Sequence, residues 1–235
     1  MRAVILAGGR GTRLRPYTIT LPKPLVPVGG EMPIIEVIIR QLSRAGFERL
    51  TFAVNHKANL IRAFCGDGSQ WGLQIDYSLE DEPLSTTGPL TLIDDLPENF
   101  LVMNGDLLCD LDYRAFVEHH IRSCNEITVS TYKRALNSDF GVLKVDGTGA
   151  VKGFEEKPIF HFDVSMGVYC LSRSVVERLE HGRPYGFDQL MHDAIRRNCR
   201  LEAVPHQGFW LDIGRPEDYD LANQEFARLK LQWRL

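Results

Sequence analysis

Gly8-Gly9-Arg10-Gly11-Thr12-Arg13-Leu14-Arg15-Pro16 directly follows the apolar run Val4-Ile5-Leu6-Ala7, and Lys23 stands between Pro22 and Pro24 shortly after. Glycines let a backbone approach a ligand closely and leave N–H groups free to face an anion. Arginine and lysine supply positive charge for phosphate oxygens. The prolines stiffen the segment that presents Lys23. Together these residues describe a polyphosphate cradle. It is not the dinucleotide fingerprint G-x-G-x-x-G, and it is not the P-loop G-x-x-x-x-G-K-[ST]. An ordinary strand-to-helix turn with solvated arginines would require neither the glycines nor Arg13 together with Lys23.

Two acids extend the chemistry. Asp106 comes just after the apolar run Phe100–Met103, and Asp212 lies inside the otherwise apolar run Phe209–Gly214. A lone acid in such a run is costly unless it is paired or metal-bound. Mg²⁺ takes oxygen ligands and is commonly held by one or two carboxylates plus phosphate oxygens. Asp106 and Asp212 are therefore the candidate metal ligands; a helix cap or a salt bridge is the other use of Asp212. Asp110 and Asp112 form a D-x-D, with Asp112 read as the N-cap of the following helix. His56 reads as a cap or surface residue, His119 and His120 as solvated helix residues, and Trp71 as packing.

The elements that must position these groups alternate. Apolar runs at Ala3–Leu6, Leu50–Val54, Gln74–Tyr77 and Phe100–Met103 predict buried strands, and Ile34–Ala45, Asn59–Phe64 and Tyr113–Arg122 carry helical spacing. That rhythm predicts an α/β fold, a Rossmann-like, mostly parallel mixed sheet flanked by helices, with ligands beyond the carboxyl ends of the strands. Past residue 126 the pattern changes to short strands at Ile127–Tyr132, Gly141–Val145, Val151–Glu155 and Val164–Cys170, with a hairpin turn at Asp146–Gly149. Helices are expected at Arg173–Leu179, Phe187–Asn198 and Pro216–Lys230. The chain of 235 residues reads as a single domain whose pattern changes between 1–125 and 126–235.

Composition narrows the class further. Hydrophobic residues make up 44% and charged residues 25%, ordinary for a globular protein. The net charge of −4 argues against a nucleic-acid partner, and the absence of a long apolar run argues against a membrane span. Five scattered cysteines without a C-x-x-C pair fit a reducing, cytoplasmic setting rather than a disulfide framework.

The stretch Leu6–Val28 resembles the signature of the sugar-1-phosphate nucleotidylyltransferases (NDP-sugar pyrophosphorylases). The resemblance continues, in the family's order, through Glu82–Leu90, Asn104-Gly105-Asp106, Phe140-Gly141-Val142, Phe154–Pro158 and Trp210–Gly214. The Thr87–Leu90 block and the run Gly208–Pro216 are most similar to the GDP-mannose pyrophosphorylase branch. Some members of the family carry a C-terminal left-handed β-helix of hexapeptide repeats, and none is expected here, so the resemblance implies the nucleotide-diphospho-sugar transferase fold with no C-terminal β-helix, 1–125 as its nucleotide-binding half and 126–235 as its sugar-binding half. It also implies a Mg²⁺-dependent reaction of a nucleoside triphosphate, with GTP favoured, and a sugar 1-phosphate of the mannose or manno-heptose type, releasing pyrophosphate.

The resemblance assigns Arg13, Lys23 and Asp106 to catalysis. It assigns Leu6, Ala7, Gly8, Gly9, Gly11, Thr12, Arg13, Glu82 and Gly88 to the nucleotide. Gly141, Glu156, Lys157 and Ser165 fall to the sugar phosphate, and Asp106 and Asp212 to the metal. Ser165-Met166 replaces the Asn-Ala pair common in relatives, which leaves the sugar open. Uridylyl or thymidylyl transfer, a silent nucleotide-sugar-binding regulatory subunit and a glycosyltransferase using Asp110 and Asp112 are the alternatives. Homo-oligomerisation is left open, with the C-terminal segment Phe226–Leu235 able to pack on this subunit or another.

Overall fold

A computed structural model describes residues 1–235. The order along the chain begins β1 (Arg2–Leu6), β2 (Pro27–Val28), β3 (Met32–Pro33), α1 (Ile34–Arg44), β4 (Arg49–Val54), α2 (Ala58–Cys65) and β5 (Gln74–Leu79). It continues with β6 (Asn99–Asn104), β7 (Leu107–Cys109), α3 (Tyr113–Arg122), β8 (Ile127–Asn137), β9 (Val142–Val145) and β10 (Val151–Glu155). It closes with β11 (Ile159–Ser172), α4 (Arg173–Glu177), α5 (Phe187–Arg196), β12 (Leu201–His206), β13 (Trp210–Asp212) and α6 (Pro216–Trp233).

The main sheet has seven strands in the order β12-β8-β11-β6-β1-β4-β5. β11 runs antiparallel to both of its neighbours, and the other pairings are parallel. The expected mixed, mostly parallel sheet is therefore present, and strands from both halves of the chain belong to it. Successive residues of a strand face opposite sides. Ala3, Ile5, Leu101 and Met103 meet α1, α3 and α6 through Ile35, Ile38, Leu42, Phe116 and Phe226 on one side. Val4, Phe100 and Val102 meet Val175, Leu190 and Ala194 on the other. Helix α1 illustrates the cause: Ile34, Ile35, Ile38 and Leu42 recur at helical spacing and are fully buried, while Glu36 and Arg40 pair one turn apart toward solvent. Each such Leu or Ile contributes about 1.5–3 kcal/mol by its removal from water.

Two expectations are corrected. His120 is completely buried rather than solvated: its ring nitrogens hydrogen-bond Thr128 Oγ1 (2.8 Å) and Asn99 Oδ1 (3.1 Å). Helix α3 lies on the sheet, and polar partners on β8 and β6 make the imidazole acceptable there. Strands β8 and β11 also run well past the expected Tyr132 and start well before the expected Val164, forming an outer ribbon in which Ile159–Ser165 pairs with Thr131–Asn137. Alternating polar and apolar residues there gave no buried run to read. Asp112 caps α3 as expected, accepting from the Ala115 N–H at 2.9 Å. Asp110 accepts or shares a proton with His206 Nε2 at 3.0 Å, so the D-x-D is engaged in local structure. Phe226 and Leu229 of the C-terminal helix are buried against this same chain.

Candidate active site

The carboxyl ends of β1, β4 and β6 open onto a cleft of about 520 Å³. Each of these parallel strands carries its pattern one step beyond its end. The Ala7 N–H donates to the Ala53 carbonyl (2.8 Å), and the Gly105 N–H to the Leu6 carbonyl (2.9 Å). Hence Leu6, Ala7 and the loop Gly8–Arg13 enter the cleft from β1, Asn104 and Asp106 from β6, and Asn55 from β4. Lys23 reaches it from a short helical turn.

The glycines have separate reasons. A Cβ on Gly8 would lie 2.7 Å from Glu80 Oε1, so glycine is what lets this strand end approach that carboxylate. Gly11 sits at φ +61°, and its Cβ would press Thr18 Cγ2 at 3.0 Å and Lys23 Cβ at 3.1 Å. The Thr18 hydroxyl donates to the Gly11 carbonyl at 2.8 Å, and Lys57 Nζ donates to the carbonyls of Thr18 and Ile19, which ties the loop down.

Asp106 and Asp212 are far apart in sequence and are joined by a small device, the antiparallel pair β7–β13. Leu107 stands opposite Asp212, and the Ile213 N–H donates to the Asp106 carbonyl at 3.1 Å. The buried ammonium of Lys23 forms an ion pair with Asp106 and lies 3.8 Å from Asp212 Oδ1. Burial and the neighbouring Asp106 charge push the Asp212 carboxyl upward, while Lys23 and Arg13 oppose the shift. Asp106 Oδ1 is buried and has no hydrogen-bond partner. An orphaned carboxylate oxygen beside a second carboxylate is a donor set that suits a hard divalent cation. No third His, Cys, Asp or Glu joins the pair. The site therefore offers two carboxylates, with room for phosphate or water oxygens at the remaining positions.

The structure does not gather every expected residue. Glu82 is exposed and lies outside the cleft lining. β5 ends at Leu79, so Glu80 takes the strand-end position and turns inward while Glu82 sits on the following turn. Gly88 is also outside: a Cβ there would come within 2.5 Å of the Arg183 carbonyl, and its N–H donates to the Tyr185 carbonyl at 3.0 Å. Glycine at 88 is thus a packing requirement. Gly141, Glu156, Lys157 and Ser165 are exposed on the outer ribbon and the β9–β10 hairpin, and none of them lines the cleft. Gly141 is held close to its neighbours, since a Cβ would meet the Phe154 ring at 2.5 Å and Glu156 Oε2 at 3.0 Å. The Ser165 hydroxyl donates to the Tyr169 hydroxyl at 3.1 Å.

Glu80 is the group that sequence reasoning missed. It is buried, its Oε2 accepts from the Leu84 N–H at 3.0 Å, and burial raises its carboxyl above the usual range. Asn55 holds the same turn by donating to the Glu80 carbonyl at 2.7 Å. Its signal was available: Glu80 immediately follows a parallel strand, as Ala7 and Gly105 do.

Comparison with known proteins agrees with this geometry. The family model described as nucleotidyl transferase matches residues 2–228. A mannose-1-phosphate guanyltransferase of Emericella nidulans is 37% identical over 230 residues, 93% of this chain and 62% of that protein. The mannose-1-phosphate guanylyltransferase catalytic subunit beta of Drosophila pseudoobscura pseudoobscura is 35% identical over 225 residues, 93% of this chain and 60% of that protein. The chain thus spans about three-fifths of the length of the curated relatives it matches. Among solved structures, HddC from Yersinia pseudotuberculosis, complexed with GMP-PN, superposes with a TM-score of 0.73 at 28% identity, covering 96% of this chain and 99% of that one. With a glycine-rich loop, a lysine and two acids converging at the strand ends, and a family match over nearly all its length, the chain belongs to the nucleotidyl transferase family.

Proposed function

We propose that this chain transfers a nucleotidyl group from GTP to a sugar 1-phosphate, mannose 1-phosphate or a manno-heptose 1-phosphate, and releases pyrophosphate. The observation that carries the reading is the convergence of Lys23, Asp106 and Asp212 beside the Gly8–Arg13 loop. The names of the relatives, guanyltransferases and a protein solved with GMP-PN, support the choice of GTP and of a mannose-type sugar.

The attacking oxygen of a sugar 1-phosphate is already anionic at neutral pH, so no side chain has to remove a proton from it. The task is to hold two phosphates in line and to offset their repulsion. In this reading the N–H groups of Gly8, Gly9 and Gly11 and the Thr12 turn cradle the triphosphate. Arg13 holds the departing pyrophosphate, and Lys23 meets the charge that grows on the α-phosphate. Leu6 and Ala7 lie under the base. Glu80 accepts from guanine N1–H and N2–H₂, a role the resemblance gave to Glu82. Asp106 and Asp212 would hold a divalent cation, Mg²⁺ by preference for an all-oxygen set, which when bound would screen phosphate charge. Residues 1–125 carry the nucleotide side of this work and residues 126–235 the sugar side, through Gly141, Glu156, Lys157 and Ser165.

The test is a pyrophosphate-release assay with Mg²⁺, crossing GTP, UTP, dTTP, CTP and ATP with mannose 1-phosphate, glucose 1-phosphate and a manno-heptose 1-phosphate. Release with GTP and one mannose-type sugar is the expected result. Release only with another nucleotide overturns the GTP assignment. Silence with measurable nucleotide-sugar binding favours the regulatory subunit.

A further inference from the structure

Residues 15–21 join the glycine-rich loop to the turn that carries Lys23, and this arm has little structure of its own. The Arg15 N–H donates to the Thr12 carbonyl at 3.4 Å and the Ile19 N–H to the Pro16 carbonyl at 3.1 Å, and the arm's backbone makes no bond to β4, β6 or α6. Tyr17, Ile19 and Leu21 are exposed. The Tyr17 ring leans on Tyr219 of α6, with centroids 4.6 Å apart. The polar anchor is Lys57, whose Nζ donates to the carbonyls of Thr18 (2.9 Å) and Ile19 (2.8 Å). Both partners are carbonyl oxygens and no carboxylate lies in ion-pair range, so the ammonium keeps its full charge for these two bonds. Charge-assisted bonds of this kind are stronger than neutral ones.

Lys57 stands at the start of α2 with φ +59°, a left-handed conformation that crowds any residue with a Cβ. Glycine would adopt it without strain. Strain of this kind persists where the surroundings over-determine it, and it clusters where function uses it. Two residues earlier on the same turn, Asn55 lines the cleft and donates to the Glu80 carbonyl. One turn after β4 thus holds the strand end that carries Glu80 and, through Lys57, the arm that carries Lys23. We infer that Lys57 is a positioning residue for the triphosphate. It does not line the cleft itself. Its effect passes through Thr18, whose hydroxyl donates to the Gly11 carbonyl at 2.8 Å. Gly11 in turn has no room to move between Thr18 and the Lys23 stem. Releasing Thr18 therefore turns the Gly11 peptide and lets Lys23 drift from Asp106. A nucleoside monophosphate places no β- or γ-phosphate on this loop, so its binding does not depend on Lys57.

This role rests on the nucleotidyl-transfer reading above, and the test separates the two. Lys57→Met keeps the length of the side chain and the Cβ at the left-handed position while removing the ammonium; Lys57→Arg keeps a charged donor. Hydrogen exchange without any nucleotide reads the tether alone: amides in 17–21 should exchange faster in Lys57→Met and as in the parent in Lys57→Arg. Calorimetric titration with GTP and with GMP reads its use. Lys57→Met should weaken GTP binding and lower kcat by about tenfold each, the worth of one charged hydrogen-bond anchor, with GMP binding unchanged and both losses restored in Lys57→Arg. A parent that binds no nucleoside triphosphate removes the nucleotidyl-transfer reading, and the exchange data still decide the tether. Parental exchange in Lys57→Met overturns the inference. So does an equal loss of GTP and GMP, or a loss that Lys57→Arg does not restore.

Discussion

At the residue scale the site turns on a nearly enclosed lysine charge set against two partly exposed carboxylates. Asp106 has one oxygen committed to Lys23 and one buried without a partner. Asp106→Asn keeps the shape but removes the charge, and turnover should fall by at least about a hundredfold, the order seen when one preorganised electrostatic group is lost. Pyrophosphate release and a thermal melt together check this; near-parental activity in a folded variant would remove Asp106 from the metal assignment. Glu80 makes a different prediction. Its carboxyl is raised by burial, so it protonates at a higher pH than an ordinary glutamate. A carboxylate that reads guanine must be ionised, so GTP affinity should weaken as pH falls toward that raised value and recover above it. Glu80→Gln should cost about 1–3 kcal/mol of discrimination for guanine over other bases, and its preference for GTP over ATP should no longer follow pH. Binding of GTP and ATP titrated calorimetrically at two pH values would show this. Equal preference in parent and variant would place the base elsewhere.

At the element scale, short pieces do the positioning. The loop between β1 and Lys23 keeps its path because Gly11 adopts a left-handed conformation and leaves no room for a Cβ between Thr18 and Lys23. Gly11→Ala should cost about 1–2 kcal/mol for the backbone alone, seen as a lowered melting temperature, and should reduce kcat further by displacing Lys23. A variant with parental stability and rate would mean that the loop is looser than the geometry implies. The pair β7–β13 matters for the same reason, because its register alone sets Asp212 beside Asp106. The helices on the sheet were legible from apolar spacing: α3 falls on Tyr113–Arg122 as expected, and α1 differs by one residue at its end, whereas the outer parts of β8 and β11 carried no buried run to read. The two-residue and three-residue strands were not, since so short a run has no period to detect.

At the scale of the whole molecule, the sheet is a single layer that both halves of the chain build, with buried polar groups at its seams. His120 lies at one of them, between α3, β6 and β8. Burial lowers its pKa to about 4, against a value near 6.5 in an unfolded chain. Between these two values the unfolded chain binds the proton and the folded one does not, so stability rises with pH across that window and is lost as pH falls through it. The loss is about 3 kcal/mol for complete titration. Urea unfolding between pH 7 and pH 4 checks it: His120→Gln should flatten that part of the profile, and an unchanged slope would show that another group carries it.

The sequence by itself determined the glycine-rich loop, the class of sheet and the expectation of a cleft beyond the strand ends. Glycine spacing, a proline-bound lysine and apolar periodicity are local properties, and each is written in consecutive residues. Lys23 and the two aspartates could be named that way because each stands out from its immediate neighbours. What only the tertiary structure decided depends on which residues meet across distance. Glu80 rather than Glu82 enters the cleft because β5 ends at Leu79 and its register against β4 carries Glu80 inward. Gly88 serves packing because the Arg183–Tyr185 segment crosses it. His120 is buried because α3 lies on the strands that hold its partners.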